Sequence, residues 1–99
     1  MDKGQQVYKI VSGIPKGKVT TYQAIAKKAG IRNPRLVGHF LHINPDPVRI
    51  PCHRVVTVRG NLASGYAFGG REAQSEKLMS ERVPVVKGKV NIKKYYWTP

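Results

Sequence analysis

Three residues, Gly30, Asn33 and Pro34, set the tightest limit on what this chain can fold into. Glycine enters the left-handed conformation that ends helices, asparagine caps a helix start, and proline is tolerated in a helix only within its first turn. No helix can run through this segment; one must end at Gly30 and another begin at Pro34. Upstream, Thr20 or Thr21 can cap a helix over about 21–29, with Tyr22, Ile25, Ala26 and Ala29 on one face. Downstream, a helix from Pro34 to about 42 carries Leu36, Val37, Phe40 and Leu41. Two short helices joined by about four residues have the outline of a helix-turn-helix over about 21–42. Many helical hairpins share that outline and bind nothing, so composition has to decide.

The chain has 99 residues, enough for one domain with one small core. Its 18 basic and 5 acidic residues give a formal charge of +13. Such a domain repels itself unless a polyanion lies nearby, so the charge points to nucleic acid, or to a merely solubilising basic surface. With the helix pair it predicts DNA binding, residues 34–42 being the recognition helix. No run approaches the ~20 apolar residues of a membrane span, and no signal-peptide core is visible. One cysteine cannot form an internal disulfide, which predicts a reducing, intracellular setting, cytoplasmic (nucleoid) or nuclear. Three histidines and one cysteine do not match zinc-finger spacing, so no metal is expected.

The remaining segments frame this pair. Val7, Ile10, Val11 and Ile14 recur at helical spacing, which predicts a first helix over 3–12 ended by Gly13 and Pro15. Residues 43–51 hold three prolines and read as an ordered loop. Val55–Val58 and Leu62–Ala63 flank Arg59-Gly60-Asn61, which reads as a hairpin over about 55–63 in the position of a wing. A glycine-rich loop, Ser64 to Gly70, leads to a last helix over about 71–82 with Ala73, Leu78 and Met79 inward, stopped by Pro84. The tail from 85 to 99 interleaves lysines with Val90, Ile92 and Trp97. It could track a nucleic-acid backbone, but so small a domain needs its large apolar groups, so the tail is expected to pack on the core with its lysines solvated. The fold class is therefore mainly α with a short β-hairpin, a winged helix-turn-helix-like single domain.

The chemistry centres on Pro51-Cys52-His53-Arg54-Val55, which holds the chain's one cysteine. A thiol attacks as its thiolate, which a neighbouring histidine and cationic surroundings favour. A third group, usually a carboxylate, should orient the histidine. Of the five acids, Glu81 on the last helix is the first choice and Glu76 the second. The plainer reading is that Cys52 is a small buried hydrophobe, the commonest fate of a free cysteine.

Ile50-Pro51-Cys52-His53-Arg54-Val55-Val56 resembles the active-site signature of the O6-alkylguanine-DNA alkyltransferases. The likeness extends to Ile14-Pro15-Lys16-Gly17-Lys18-Val19-Thr20-Thr21-Tyr22, to Arg35 nine residues before Asn44, to Asn44-Pro45 itself, and to the spacing of Gly69-Gly70 and Glu81, roughly residues 5–82. The resemblance implies a monomer that binds double-stranded DNA through the minor groove and flips an alkylated guanine into a pocket, without a cofactor. It implies that Cys52 takes the alkyl group in one irreversible displacement, with His53 as its base through a water and Glu81 orienting His53. It implies that Tyr22 rotates the nucleotide, Arg35 fills the vacated stack, Gly38, Asn44 and Arg54 serve the DNA-binding side, and Tyr66, Phe68 and Gly69 line the guanine pocket. O4-methylthymine would be a weaker substrate.

The departures from the family matter too. Its members usually carry an N-terminal domain, whereas this chain opens at the first helix. Their recognition helix is rich in small residues after the arginine; here Gly38 is kept but His39 and Phe40 are bulky, with Phe40 expected inward and His39 solvated. Alkyltransferase-like proteins share the short architecture, typically replace the cysteine, and bind and flip the lesion only to flag it for nucleotide excision repair. The complete Cys-His-Glu set favours transfer over that alternative.

Overall fold

The computed structural model describes all residues from Met1 to Pro99. Helices α1 (Lys3–Ser12), α2 (Tyr22–Ala29) and α3 (Pro34–His42) pack on one another. Each start has a side-chain cap. Asp2 and Gln5 form a reciprocal capping box on α1, Thr21 accepts from the Ala24 amide, and Asn33 accepts from the Arg35 amide. Gly30 adopts φ +70° and ends α2 as the sequence requires. Lys3 then donates to the Ala29 carbonyl at 2.7 Å, satisfying an orphan acceptor at that end of α2. Phe40 points inward, stacking edge-on with Tyr8, whose hydroxyl donates to the Phe40 carbonyl at 2.8 Å. His39 is exposed.

The strand pairing differs from expectation. Val55–Val56 (β2) does not fold back on Leu62–Ala63; it pairs in parallel with Thr20–Thr21 (β1), Thr20 opposite Val55 and Thr21 opposite Val56. The β-branched run is therefore short and buried on both sides. Val55 faces a core built from Val7, Val11, Ile14, Ile25, Val37 and Leu41, and Val56 faces a second core of Val19, Leu62, Leu78, Val83 and Val90. Successive strand residues point to opposite faces, so a two-residue strand can serve two cores. The Arg59-Gly60-Asn61 turn exists but finds its partner elsewhere: Val90 donates to the Gly60 carbonyl at 2.9 Å, and Leu62 to the Gly88 carbonyl at 3.1 Å. The wing is thus made jointly by residues 57–62 and the 86–90 turn.

The tail packs back as expected. Trp97 lies against the first core, and Ile92 and Tyr95 against the second. A short helix, α5 (Ile92–Tyr95), brings the Trp97 amide onto the Val19 carbonyl at 2.8 Å. Helix α4 (Gly70–Ser80) corrects one assignment: Met79 is 57% exposed, while Gln74 and Leu78 are buried. Its inward arc is 74, 77, 78 and 81, spaced i, i+3, i+4, i+7. Counting only apolar residues misses that arc because a buried amide begins it.

Candidate active site

Residues 43–56 carry the Cys52 segment between the two cores. Asn44 fixes the loop, its side chain accepting from the Asp46 amide at 2.9 Å and donating to the Ile50 carbonyl at 2.8 Å. The Asn44 amide itself donates to the Leu41 carbonyl, so one residue ties the end of α3 to the loop before the cysteine. Cys52–Arg54 then form one 3₁₀ turn. Cys52 is buried, 4% exposed. Burial pushes its thiol above the ordinary value, while the Asn44 side chain and the charge of Lys77 pull the other way.

His53 donates from Nε2 to Glu81 Oε2 at 3.1 Å. That leaves Nδ1 as the lone-pair nitrogen of the neutral ring. Burial favours this neutral form and moves the imidazole below its ordinary value, against the pull of Glu81. Glu81 also receives a fork from Arg54, Nε to Oε1 at 2.9 Å and Nη2 to Oε2 at 2.5 Å. Burial alone would raise the Glu81 carboxyl, but the Arg54 and His53 hydrogen bonds hold it below the ordinary carboxylate value. Arg54 is thereby corrected: expected on the DNA-binding side, its guanidinium is spent on Glu81 and on the Ile14 carbonyl at 2.8 Å. Glu76, the second choice of acid, is exposed.

Cys52 lies on the wall of a small cavity bounded by Tyr22, Gly38, Leu41, His42 and Tyr66, with a volume of about 20 Å³. That is room for roughly one water. His42 spans it to the Gly65 carbonyl at 3.2 Å. Tyr22 and Gly38 also line an open groove with Arg35, which is exposed on the first turn of α3. A methyl built on Gly38 would meet no atom within 4 Å. Burial, then the proximity of Cys52, pushes the Tyr22 phenol up to about 12. Two residues expected in the guanine pocket, Phe68 and Gly69, do not line this cavity. Phe68 packs edge-on against Tyr66 at 5.8 Å, and Gly69 makes the left-handed turn into α4 at φ +117°.

Residues 2–83 match the family model of the DNA-binding domain of 6-O-methylguanine DNA methyltransferase. The chain belongs to this methyltransferase family. Within it, a DNA base-flipping protein of Vibrio parahaemolyticus is 37% identical over 95% of this chain and 94% of its own length. The methylated-DNA–protein-cysteine methyltransferase of Methanocaldococcus jannaschii is 42% identical over 88% of the chain, which spans only 50% of that protein. The crystal structure of Schizosaccharomyces pombe Atl1 with damaged DNA containing O6-carboxymethylguanine superposes with a TM-score of 0.85 at 32% identity, covering 98% of this chain and 95% of that one. No helix of this family member is long and apolar enough to cross a membrane.

Two residues beside Cys52 and Glu81 went unread in the sequence. Gln74 is fully buried; its amide donates to the His53 and Val55 carbonyls at 3.1 Å each, and its oxygen accepts from the Ala63 amide at 2.8 Å. It clamps the Cys52–Arg54 turn to Ala63, which also lines the cavity. Lys77 donates to the Tyr66 hydroxyl at 2.7 Å and lies over the Tyr66 and Phe68 rings. Both sit on the helical arc that ends at Glu81, and spacing back from Glu81 by four and seven would have found them.

Proposed function

We propose that this protein repairs DNA by binding the duplex, rotating an O6-alkylguanine into the cavity beside Cys52, and moving the alkyl group to the cysteine sulfur. The observation that carries this is that Cys52, next in sequence to the hydrogen-bonded His53–Glu81 pair, shares a cavity with Tyr22 and Gly38 of the helix pair. The step balances without a cofactor. The sulfur forms a bond to the alkyl carbon as the carbon–O6 bond breaks; the thiol proton passes to His53 through water, and the departing guanine takes up one proton. A thioether is a poor leaving group, so each molecule reacts once.

Burial disfavours the thiolate, and a base is therefore needed. Neutral His53, held by Glu81, supplies it, and Lys77 favours the anion. A guanine cannot enter a cavity of about 20 Å³, so the His42–Gly65 contact has to open as the base arrives. Phosphate contacts by the lysines and arginines position the duplex, and Arg35, exposed on the first turn of α3, fills the gap left by the base.

One observation favours a second reading. The chain is 37% identical to a DNA base-flipping protein and superposes on Atl1 bound to damaged DNA with a TM-score of 0.85. On this reading the domain binds and flips the lesion without transfer and recruits nucleotide excision repair. A duplex with one O6-methylguanine inside a methylation-sensitive restriction site separates the two. Transfer predicts cleavable DNA after incubation with one equivalent of wild type and none with Cys52→Ala. Tight binding without cleavage would refute transfer and leave the sensor.

A further inference from the structure

A second cleft of about 410 Å³ lies between the 57–64 segment, the first turn of α4 and the turn at 87–88, and base flipping does not use it. Thr57, Asn61, Ser64, Arg71 and Lys87 supply its polar wall, and no carboxylate lines it. Arg71 and Lys87 take part in none of the protein's ion pairs, which engage Arg49, His53 and Arg54. Two cations facing one cleft without a counter-charge repel each other, so an anion between them is favoured.

Lys87 is held there against its own backbone preference. It adopts φ +52° and Gly88 φ +73°, the two left-handed central residues of a tight turn, where glycine, asparagine and aspartate are favoured. The turn is fastened by the Val86 amide on the Lys89 carbonyl at 2.9 Å and the Leu62 amide on the Gly88 carbonyl at 3.1 Å. A lysine in this strained position has no intramolecular partner, which is the pattern of a residue kept for its side chain.

The cleft adjoins the site already described. Along one segment, Ala63 and Gly65 line the cavity beside Cys52, while Leu62 and Ser64 line the cleft, so a single strip of chain is the wall between them. Thr57 is shared with the groove that holds Arg35, which makes the cleft continuous with the α3 surface.

We propose that this cleft is a seat for a backbone phosphodiester of the bound duplex, gripped by Arg71 and Lys87 beyond the reach of the helix pair. The inference rests on the DNA-binding reading and extends its footprint to the wing and tail. The test is fluorescence anisotropy with an undamaged duplex over a range of salt, using the full chain. Together, Arg71→Ala and Lys87→Gly should lower the slope of log affinity against log salt by about 0.9, and affinity by about eightfold at 0.1 M salt, with each single variant taking a measurable part of that loss. Lys87→Gly relieves the left-handed lysine, so it should melt no lower than wild type and remain interpretable. A Lys87→Gly protein that melts normally with unchanged slope and affinity overturns the site. So does an equal loss in Lys9→Ala, which lines a different groove beside Trp97 and would mark a bulk-charge effect. Absence of DNA binding by the wild type would sink the DNA-binding reading and this site together.

Discussion

Gly38→Ala should stabilise the protein and weaken its grip on DNA, and the two effects can be measured separately. Gly38 sits in the middle of α3, and its backbone is not among the positive-φ glycines. Glycine inside a helix costs about 0.8–1.0 kcal/mol relative to alanine. The added methyl would meet no atom within 4 Å, so no packing clash offsets that gain. For a domain of this size, 1 kcal/mol moves the melting temperature by roughly 4–8 °C, so thermal unfolding should show a rise of that order. The same methyl would project into the groove that Gly38 shares with Arg35 and Tyr22. If α3 lies against DNA there, overpacking of about 1–3 kcal/mol corresponds to a loss of roughly 5- to 150-fold in affinity. A melting temperature that falls would refute the packing argument. A rise with unchanged DNA affinity would refute the placement of α3 in the groove.

Further outcomes follow from the buried polar and ionisable groups. Glu81→Ala should cost about 3–5 kcal/mol, seen by denaturant unfolding, because it strands a largely buried Arg54 (15% side-chain exposure). Glu81→Gln should keep more of the fold while slowing transfer, and an unchanged single-turnover rate would remove Glu81 from the mechanism. Gln74→Leu should lower the melting temperature by roughly 10 °C or more, since it unpairs the Ala63 amide and the His53 and Val55 carbonyls at about 1–3 kcal/mol per buried group. Stability should hold between about pH 6.5 and 9 and decline on both sides. His53 is held below its ordinary 6.5, so as pH falls through that value the unfolded chain takes up a proton the folded one resists; Glu81, also depressed, adds its loss at lower pH. Cys52 is raised above its ordinary 9.0, so above that pH the unfolded chain ionises first. A flat acid limb of thermal stability, or one unchanged in His53→Gln, would contradict the histidine's part.

The helix pair was legible because caps and breakers are local. Asn33, Pro34, Thr21 and Gly30 act within a turn of themselves, and α3 falls where they place it. The partner of β2 was not, because a parallel pairing between residues 20 and 55 leaves no turn signal between them. Arg54 was set on the DNA-binding side by the family resemblance alone, and only the fold brings Glu81 and the Ile14 carbonyl to its guanidinium. Gln74 escaped notice because polar residues are presumed solvated, yet a buried loop with free carbonyls needs a donor such as this amide. The His53–Glu81 contact joins the histidine to the acid that was first choice among five, whereas the smallness of the cavity beside Cys52 was not foreseen.

The central claim concerns one bond, between the Cys52 sulfur and an alkyl carbon. Intact-mass spectrometry of the protein after incubation with excess O6-methylguanine duplex tests it most directly. The account predicts that the whole population gains one methyl group and no more, mapped to the Cys52 peptide, and that Cys52→Ala gains none. A protein that binds the lesion duplex tightly and emerges with its mass unchanged would contradict it.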